Sequence, residues 1–172
     1  MKSRLLLLTG MIFAAAGMRL LPHPPNFEPI GALALFAGAC FDDKRWAFVL
    51  PLAAMLLGDA VIGFHAQMPV VYGTFALVVC MGFRLRERRR LLPVAASTLA
   101  ASTLFFILTN FGVWAFDALY PRTFEGLITC YVAAIPFFGN TLAGNFFYAT
   151  LLFGGLVLAE RKIPVFAAAT GS

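Results

Sequence analysis

Residues 69–90 read PVVYGTFALVVCMGFRLRERRR. An apolar run of helical length stops abruptly in five arginines and one glutamate, the pattern of a membrane helix ending at a charged interface. The expected span is 69–84. Within it Cys80 is the only side chain suited to bind a metal or act as a nucleophile. One and two turns back on its face stand Ala76 or Leu77, then Gly73 and Tyr72, small enough for a bulky group to lie against the helix. Two readings stay open from this stretch alone: a small hydrophobe, as most unpaired cysteines are, or a ligand.

The whole chain carries the same signature. Of its 172 residues 61% are hydrophobic and only 12% charged, with a mean hydropathy of +0.87. Soluble domains are about half apolar and one-quarter charged, so these values point to an integral membrane protein forming a single transmembrane domain over 1–172. No GxxxxGK[ST] motif occurs, so ATP-driven work falls to a partner. Three cysteines (Cys40, Cys80 and Cys130), none in a CxxC motif, form neither a complete disulfide framework nor a zinc site.

Six spans are expected, at 5–21, 30–41, 46–63, 69–84, 92–116 and 137–159. The first resembles a secretory signal but is read as a retained span, with many apolar spans following it. PHPPNFEP, residues 22–29, holds four prolines and is expected to be a stiff extended loop. Residues 117–136 are expected to fold as an interfacial cap, and the last ten residues as a loose tail. With both termini cytoplasmic, Lys2, Arg4, Lys44, Arg45, Arg84, Arg86, Arg88, Arg89, Arg90, Arg161 and Lys162 lie inside. Only Arg19 and Arg122 lie outside. The net charge of +5 is thereby explained as topology rather than nucleic-acid binding.

This topology gathers the unusual residues at the outer side: His23, Asn26, Phe27 and Glu28, then Asp59 and His65, then Trp114, Tyr120 and Tyr131. Asn110 and Trp114 stand four apart on the fifth helix; Asn140 and Asn145 open the sixth. An amide in lipid either faces a cavity or joins helices, and both readings stand for each asparagine. Asp59 reads as a capping or pairing residue within the bundle, and His23 and His65 as loop residues that face solvent or reach a ligand from above. Cys80, roughly 16 Å along its helix from Pro69, is expected to form the floor of an outward-open cavity. Cys40 falls at the cytoplasmic end and Cys130 in the cap. No serine–histidine–aspartate set or carboxylate pair assembles. A ligand-binding bundle serving passage through the membrane is the function this inventory favours.

PHPPNFEPIGALALFAGACF, PLAAMLLGDAVIGFH, TNFGVWAFDALYP and CYVAAIPFFGNTLAGNFFY together resemble the BtuM proteins. These are solitary relatives of the substrate-binding S components of energy-coupling-factor transporters, linked to vitamin B12 uptake in Gram-negative bacteria. The resemblance implies an all-α, six-helix S-component-like bundle in the inner membrane with a periplasm-facing corrinoid site. The bound substrate would be cobalamin or cobinamide, with Cys80 as the cobalt ligand. Tyr72, Asn110, Trp114, Tyr131, Asn140, Asn145 and Phe27 are the remaining candidate substrate contacts. A thiolate is a soft donor for a transition metal, so Cys80 could displace an upper cyanide and process the substrate as well as hold it. Gly10-x-x-x-Ala14 is the nearest equivalent of the Ala-x-x-x-Ala spacing that S components use to dock on an energising module. Both use of that module and solitary action therefore stay open. Two rivals stand beside transport: a membrane enzyme of corrinoid ligand exchange, and a structural membrane subunit.

Overall fold

The computed structural model describes residues 2–163 and is all-helical, with no strand among the described residues. Helix α1 (Lys2–Gly17) runs on into a 3₁₀ turn (Met18–Leu20). Then follow α2 (Ile30–Cys40), α3 (Lys44–Ile62), α4 (Met68–Gly82) with a 3₁₀ turn (Phe83–Leu85), α5 (Leu91–Phe116) and α6 (Phe124–Lys162). Of the tail expected over the last ten residues, all but Ile163 lies outside the described residues.

Local signals account for the boundaries. The Asp43 carboxylate caps α3 by accepting from the Arg45 N–H at 2.8 Å, and the Thr123 hydroxyl caps α6 by accepting from the Gly126 N–H at 3.1 Å. Pro69 stands in the first turn of α4, where its missing N–H costs nothing. Gly63 ends α3 with φ 116°, a conformation that glycine adopts without strain. Helix α5 carries serines and threonines through an apolar stretch because their hydroxyls bond back to the preceding turn. Thr98 donates to the Val94 carbonyl, Ser102 to Thr98 and Thr109 to Phe105.

Helix α2 is the axis of the molecule. All eleven of its residues are buried, and it packs against every other helix. Around it α1, α3, α4, α5 and α6 close a ring in which each touches the next and α6 returns to α1. The helices alternate in direction. One end of the bundle therefore collects Arg4, the α2–α3 turn, the arginines of 84–90 and Glu160; the other collects the loops at 21–29, 63–67 and 117–123. The closest approach is between α2 and α4. A Cβ on Gly38 would collide with the Val79 carbonyl oxygen, and one on Gly82 would lie 2.5 Å from the Leu35 carbonyl oxygen.

The structure refines one sequence expectation and overturns another. Residues 30–41, expected as a short second span, form a helix that rises only about 16 Å and is enclosed by protein. Five other helices are long and apolar enough to cross a membrane, and large apolar side chains such as Leu6, Val61, Leu99 and Leu151 cover the outside of the ring. Residues 117–136 are not a separate cap. Only 117–123 is loop, and from Phe124 a single 39-residue helix runs to Lys162 with Pro136 inside it. At about 58 Å this helix is nearly twice as long as the ~30 Å hydrocarbon core. Glu125, read as too polar to span, sits in the first turn of α6, and residues 117–123 form the loop that leads into it.

Gly82→Ala is expected to lower stability by ~1–3 kcal/mol, because the added methyl has backbone rather than a flexible side chain in front of it. Gly139→Ala, where a Cβ meets nothing within 4 Å, is expected to leave stability unchanged. Thermal unfolding of both variants in one detergent checks the pair.

Candidate functional site

The loop before α2 is built by its own sequence. The Phe27 N–H donates to the Pro24 carbonyl at 3.0 Å, and Asn26 adopts φ 62°. Proline second and asparagine third with positive φ are the residues a type II turn selects, so the loop is turned rather than extended throughout. Helix α6 holds it down. The Asn140 amide donates to the Pro25 carbonyl at 3.0 Å, and Phe27 packs on Phe147 and Tyr148. Its backbone crosses α6 at Gly144, where a Cβ would lie 3.1 Å from the Phe27 Cα.

The turn delivers Glu28 to Arg19. The Arg19 Nε donates to the Glu28 carboxylate at 3.0 Å, and its Nη1 faces the Asp59 carboxylate at 2.9 Å. The Tyr72 hydroxyl donates to the other Asp59 oxygen at 2.6 Å. Two carboxylates and one guanidinium form a chain linking α1, α2's leading loop, α3 and α4. The Arg19 and Asp59 side chains are only 7% and 3% exposed, so neither charge is tenable without the other.

Beside this chain, over the first turn of α2, lies a cavity of about 420 Å³. Ile30, Gly31 and Asn145 form its base, and α4 contributes Val71. Helix α5 contributes Phe105, Phe106, Thr109 and Asn110, and α6 contributes Cys130, Ala134, Phe137 and Thr141. Arg19, Glu28, His65, Gln67 and Tyr120 stand around the mouth. The Gln67 amide donates to the Gly112 carbonyl at 3.4 Å, while its Oε1 is buried without a partner. The Asn110 amide donates to the Phe106 carbonyl, leaving its oxygen for a ligand. Apolar walls with a few amide and hydroxyl groups are the usual make-up of a small-molecule site.

The candidate residues separate into two groups. Asn110 and Asn145 line the cavity. Asn145 also joins three helices: its carbonyl accepts from the Ala32 N–H at 3.0 Å and its amide donates to Ser102 at 2.9 Å. Tyr72, Trp114, Tyr131, Asn140 and Phe27 are not in the wall. Trp114 donates to the Pro121 carbonyl, tying α5 to the loop before α6, and Tyr131 donates to the Ile107 carbonyl, tying α6 to α5. Tyr72 belongs to the Arg19 chain, and Asn140 and Phe27 to the loop clamp.

Cys80 does not form the cavity floor expected of it. It is exposed on the outer face of α4, close to the arginine-rich end, and does not line the cavity. The inward face of α4 is Thr74, Phe75, Val78, Val79 and Gly82, and a residue at position 80 falls on the opposite side of that stripe. The small residue counted beneath it, Gly73, shares this outer face. Val71, the α4 residue in the cavity wall, lies about 13 Å further along the axis. The cavity's own thiol is Cys130, which donates to the Asn110 carbonyl at 3.4 Å. His65 stands at the mouth, exposed, while His23 bonds the Pro24 carbonyl. Among the described residues no cluster of three or more His, Cys, Asp or Glu side chains could hold a metal ion.

Arg19 is the residue that sequence reasoning passed over, counting it only as an outside charge. Its signal was an arginine at the end of an apolar run with a glutamate nine residues on, across a proline loop that returns the chain.

Fold and cavity together define a helical membrane protein with a ligand-sized chamber at one end. The chain belongs to the family described as "Family of unknown function (DUF6580)", which it matches over residues 1–166. No curated protein matches it, and neither does any solved structure.

Arg19→Leu is expected to destabilise the protein by roughly 3–5 kcal/mol by stranding two carboxylates. Tyr72→Phe, which removes one hydrogen bond, should cost about 1–3 kcal/mol. Denaturation midpoints measured side by side in detergent check the order; equal losses would mean the chain does not act as a charge network.

Proposed function

We propose that this chain is a multi-pass membrane protein that captures a small molecule in the cavity over α2 for passage across the bilayer. The observation that carries the reading is the chamber of about 420 Å³, within the ~300–1,000 Å³ range of ligand sites. Its position supports transport. A helix too short to span, preceded by irregular backbone and pointing its N-terminus at a cavity, is the arrangement transporters use at their binding sites. We further propose that α2 and its leading loop make one of six passes. Both ends then lie on the cytoplasmic side of a bacterial inner membrane, and the cavity opens to the opposite side. The concentration of arginine and lysine at one end of the bundle supports this orientation.

The wall chemistry suits a ligand with an apolar body and a few polar groups, met by Asn110, Thr109, Thr141 and Gln67. A corrinoid with Cys80 on its cobalt is a poorer match. The thiol lies outside the chamber. The corrinoid reading, and the ligand-exchange activity that depends on the same thiol, rest on the sequence resemblance.

Mass spectrometry of small molecules released from the purified protein tests the proposal. Wild type should carry a ligand that Ala134→Trp, which fills the chamber, lacks. Identical extracts from correctly folded proteins would overturn it. Titration with cyanocobalamin separates the versions: a shifted corrin spectrum lost in Cys80→Ala would restore the corrinoid reading. Reporter fusions after Arg90 and after Lys162 should both give cytoplasmic signals, and a signal from the other side at either position would remove a pass.

A further inference from the structure

A second hollow lies at the other end of the bundle, on the outside of the ring between α5 and α6. Its volume is about 410 Å³. Val94 and Ala95 form one side and Phe146, Phe153, Val157 and Leu158 the other. The two hydroxyls in the walls are already engaged, Thr98 with the Val94 carbonyl and Thr150 with the Phe146 carbonyl, so the groove offers hydrocarbon only. From Phe146 to Leu158 it follows α6 for about 18 Å, close to the depth of one leaflet of a ~30 Å hydrocarbon core.

The charged end of the groove is different in kind. Arg89 and Arg90 stand there; neither forms an ion pair among the described residues, and Arg89 lies within hydrogen-bonding reach of the Cys40 thiol. Arg4 and Arg86 donate to the main-chain carbonyls of Cys40 and Phe41. Helix α5 starts at the same point without a side-chain cap, so the N–H groups of Leu91 and Leu92 lack intrahelical partners. Two guanidinium groups with no carboxylate partner among the described residues and a helix N-terminus converge where a hydrocarbon slot opens, which is complementary to a phosphodiester headgroup carrying an acyl chain.

We propose that this groove binds an anionic glycerophospholipid from the leaflet on the arginine-rich side. One acyl chain lies between α5 and α6, and the phosphate rests on Arg89, Arg90 and the first turn of α5. The site is separate from the chamber over α2 and does not depend on what that chamber holds.

Native mass spectrometry of the full chain tests this, after incubation in detergent with phosphatidylglycerol or with phosphatidylcholine of the same acyl chains. Two arginines at the headgroup should favour phosphatidylglycerol by roughly thirtyfold. Arg89→Ala combined with Arg90→Ala should reduce its retention to the phosphatidylcholine level, while Arg45→Ala, at the same end but outside the groove, should not. A Cβ on Gly154 meets nothing within 4 Å, so Gly154→Phe can fill the slot and should lower retention of both lipids. Equal retention of the two lipids by wild type, or retention unaffected by the arginine substitutions, would overturn the proposal. So would a dimer that Gly154→Phe abolishes, since a second copy would then be what covers the groove. If Gly154→Phe fails to fold, the arginine pair decides alone.

Discussion

Burying a helix at the centre of a membrane bundle obliges the protein to satisfy both of its ends without water, and that obligation organises this molecule. At the C-terminal end of α2, Arg86 donates to the carbonyls of Gly38, Phe41 and Asp42, and Arg4 donates to that of Cys40. Two cations there also oppose the negative end of the helix dipole. Hydrogen bonds from charged donors are worth about 1.5–3 kcal/mol each, so this end is held firmly. Arg4 also contacts Asp42 and Glu160, which draws α1 and α6 to the same point.

The N-terminal end is treated differently. There a neutral amide, Asn145, accepts one N–H, Pro29 removes another donor, and the rest of the first turn faces the chamber. The ends of one short helix thus differ in kind: one closed by guanidinium groups, one left partly open beside a cavity. The loop that precedes α2 has to be irregular for the chamber to exist. Asn140, Gly144 and the aromatic stack on Phe27 restrain that loop, and the Arg19 chain ties it to α3 and α4. A buried ion pair is not by itself a gain in stability, so the value of Arg19 lies in fixing where Glu28 sits.

Membrane helices gain little from hydrophobic contact with one another, because lipid is as apolar as their side chains. Close approach of backbones and a few polar links must therefore set the geometry. The contact of Gly38 with α4 and the Asn145–Ser102 bridge do this between α2, α4, α5 and α6. The first turns of α6 and the loop before them are tied to α5 by Trp114, Cys130 and Tyr131 bonding to main-chain carbonyls.

What the sequence alone determined was the membrane class, the approximate ends of most helices and the segregation of charge. Those depend on hydropathy, proline and glycine punctuation, and basic residue counts, all of which are local quantities. The rotation of each helix was left to the tertiary structure. In α4 the outward Leu77 and the inward Val78 are equally apolar, so no periodicity distinguished a lipid face from a core face, and Cys80 could be read as pointing inward. Asn145 and Asn110 were legible as amides needing a partner, but Trp114, Tyr131 and Asn140 were indistinguishable from them until their main-chain partners were known. Arg19 looked like one surface charge among thirteen basic residues. Only the folding back of residues 22–29 over α2 brought Glu28 and Asp59 to it, because a charge network between distant segments leaves no spacing rule in the chain.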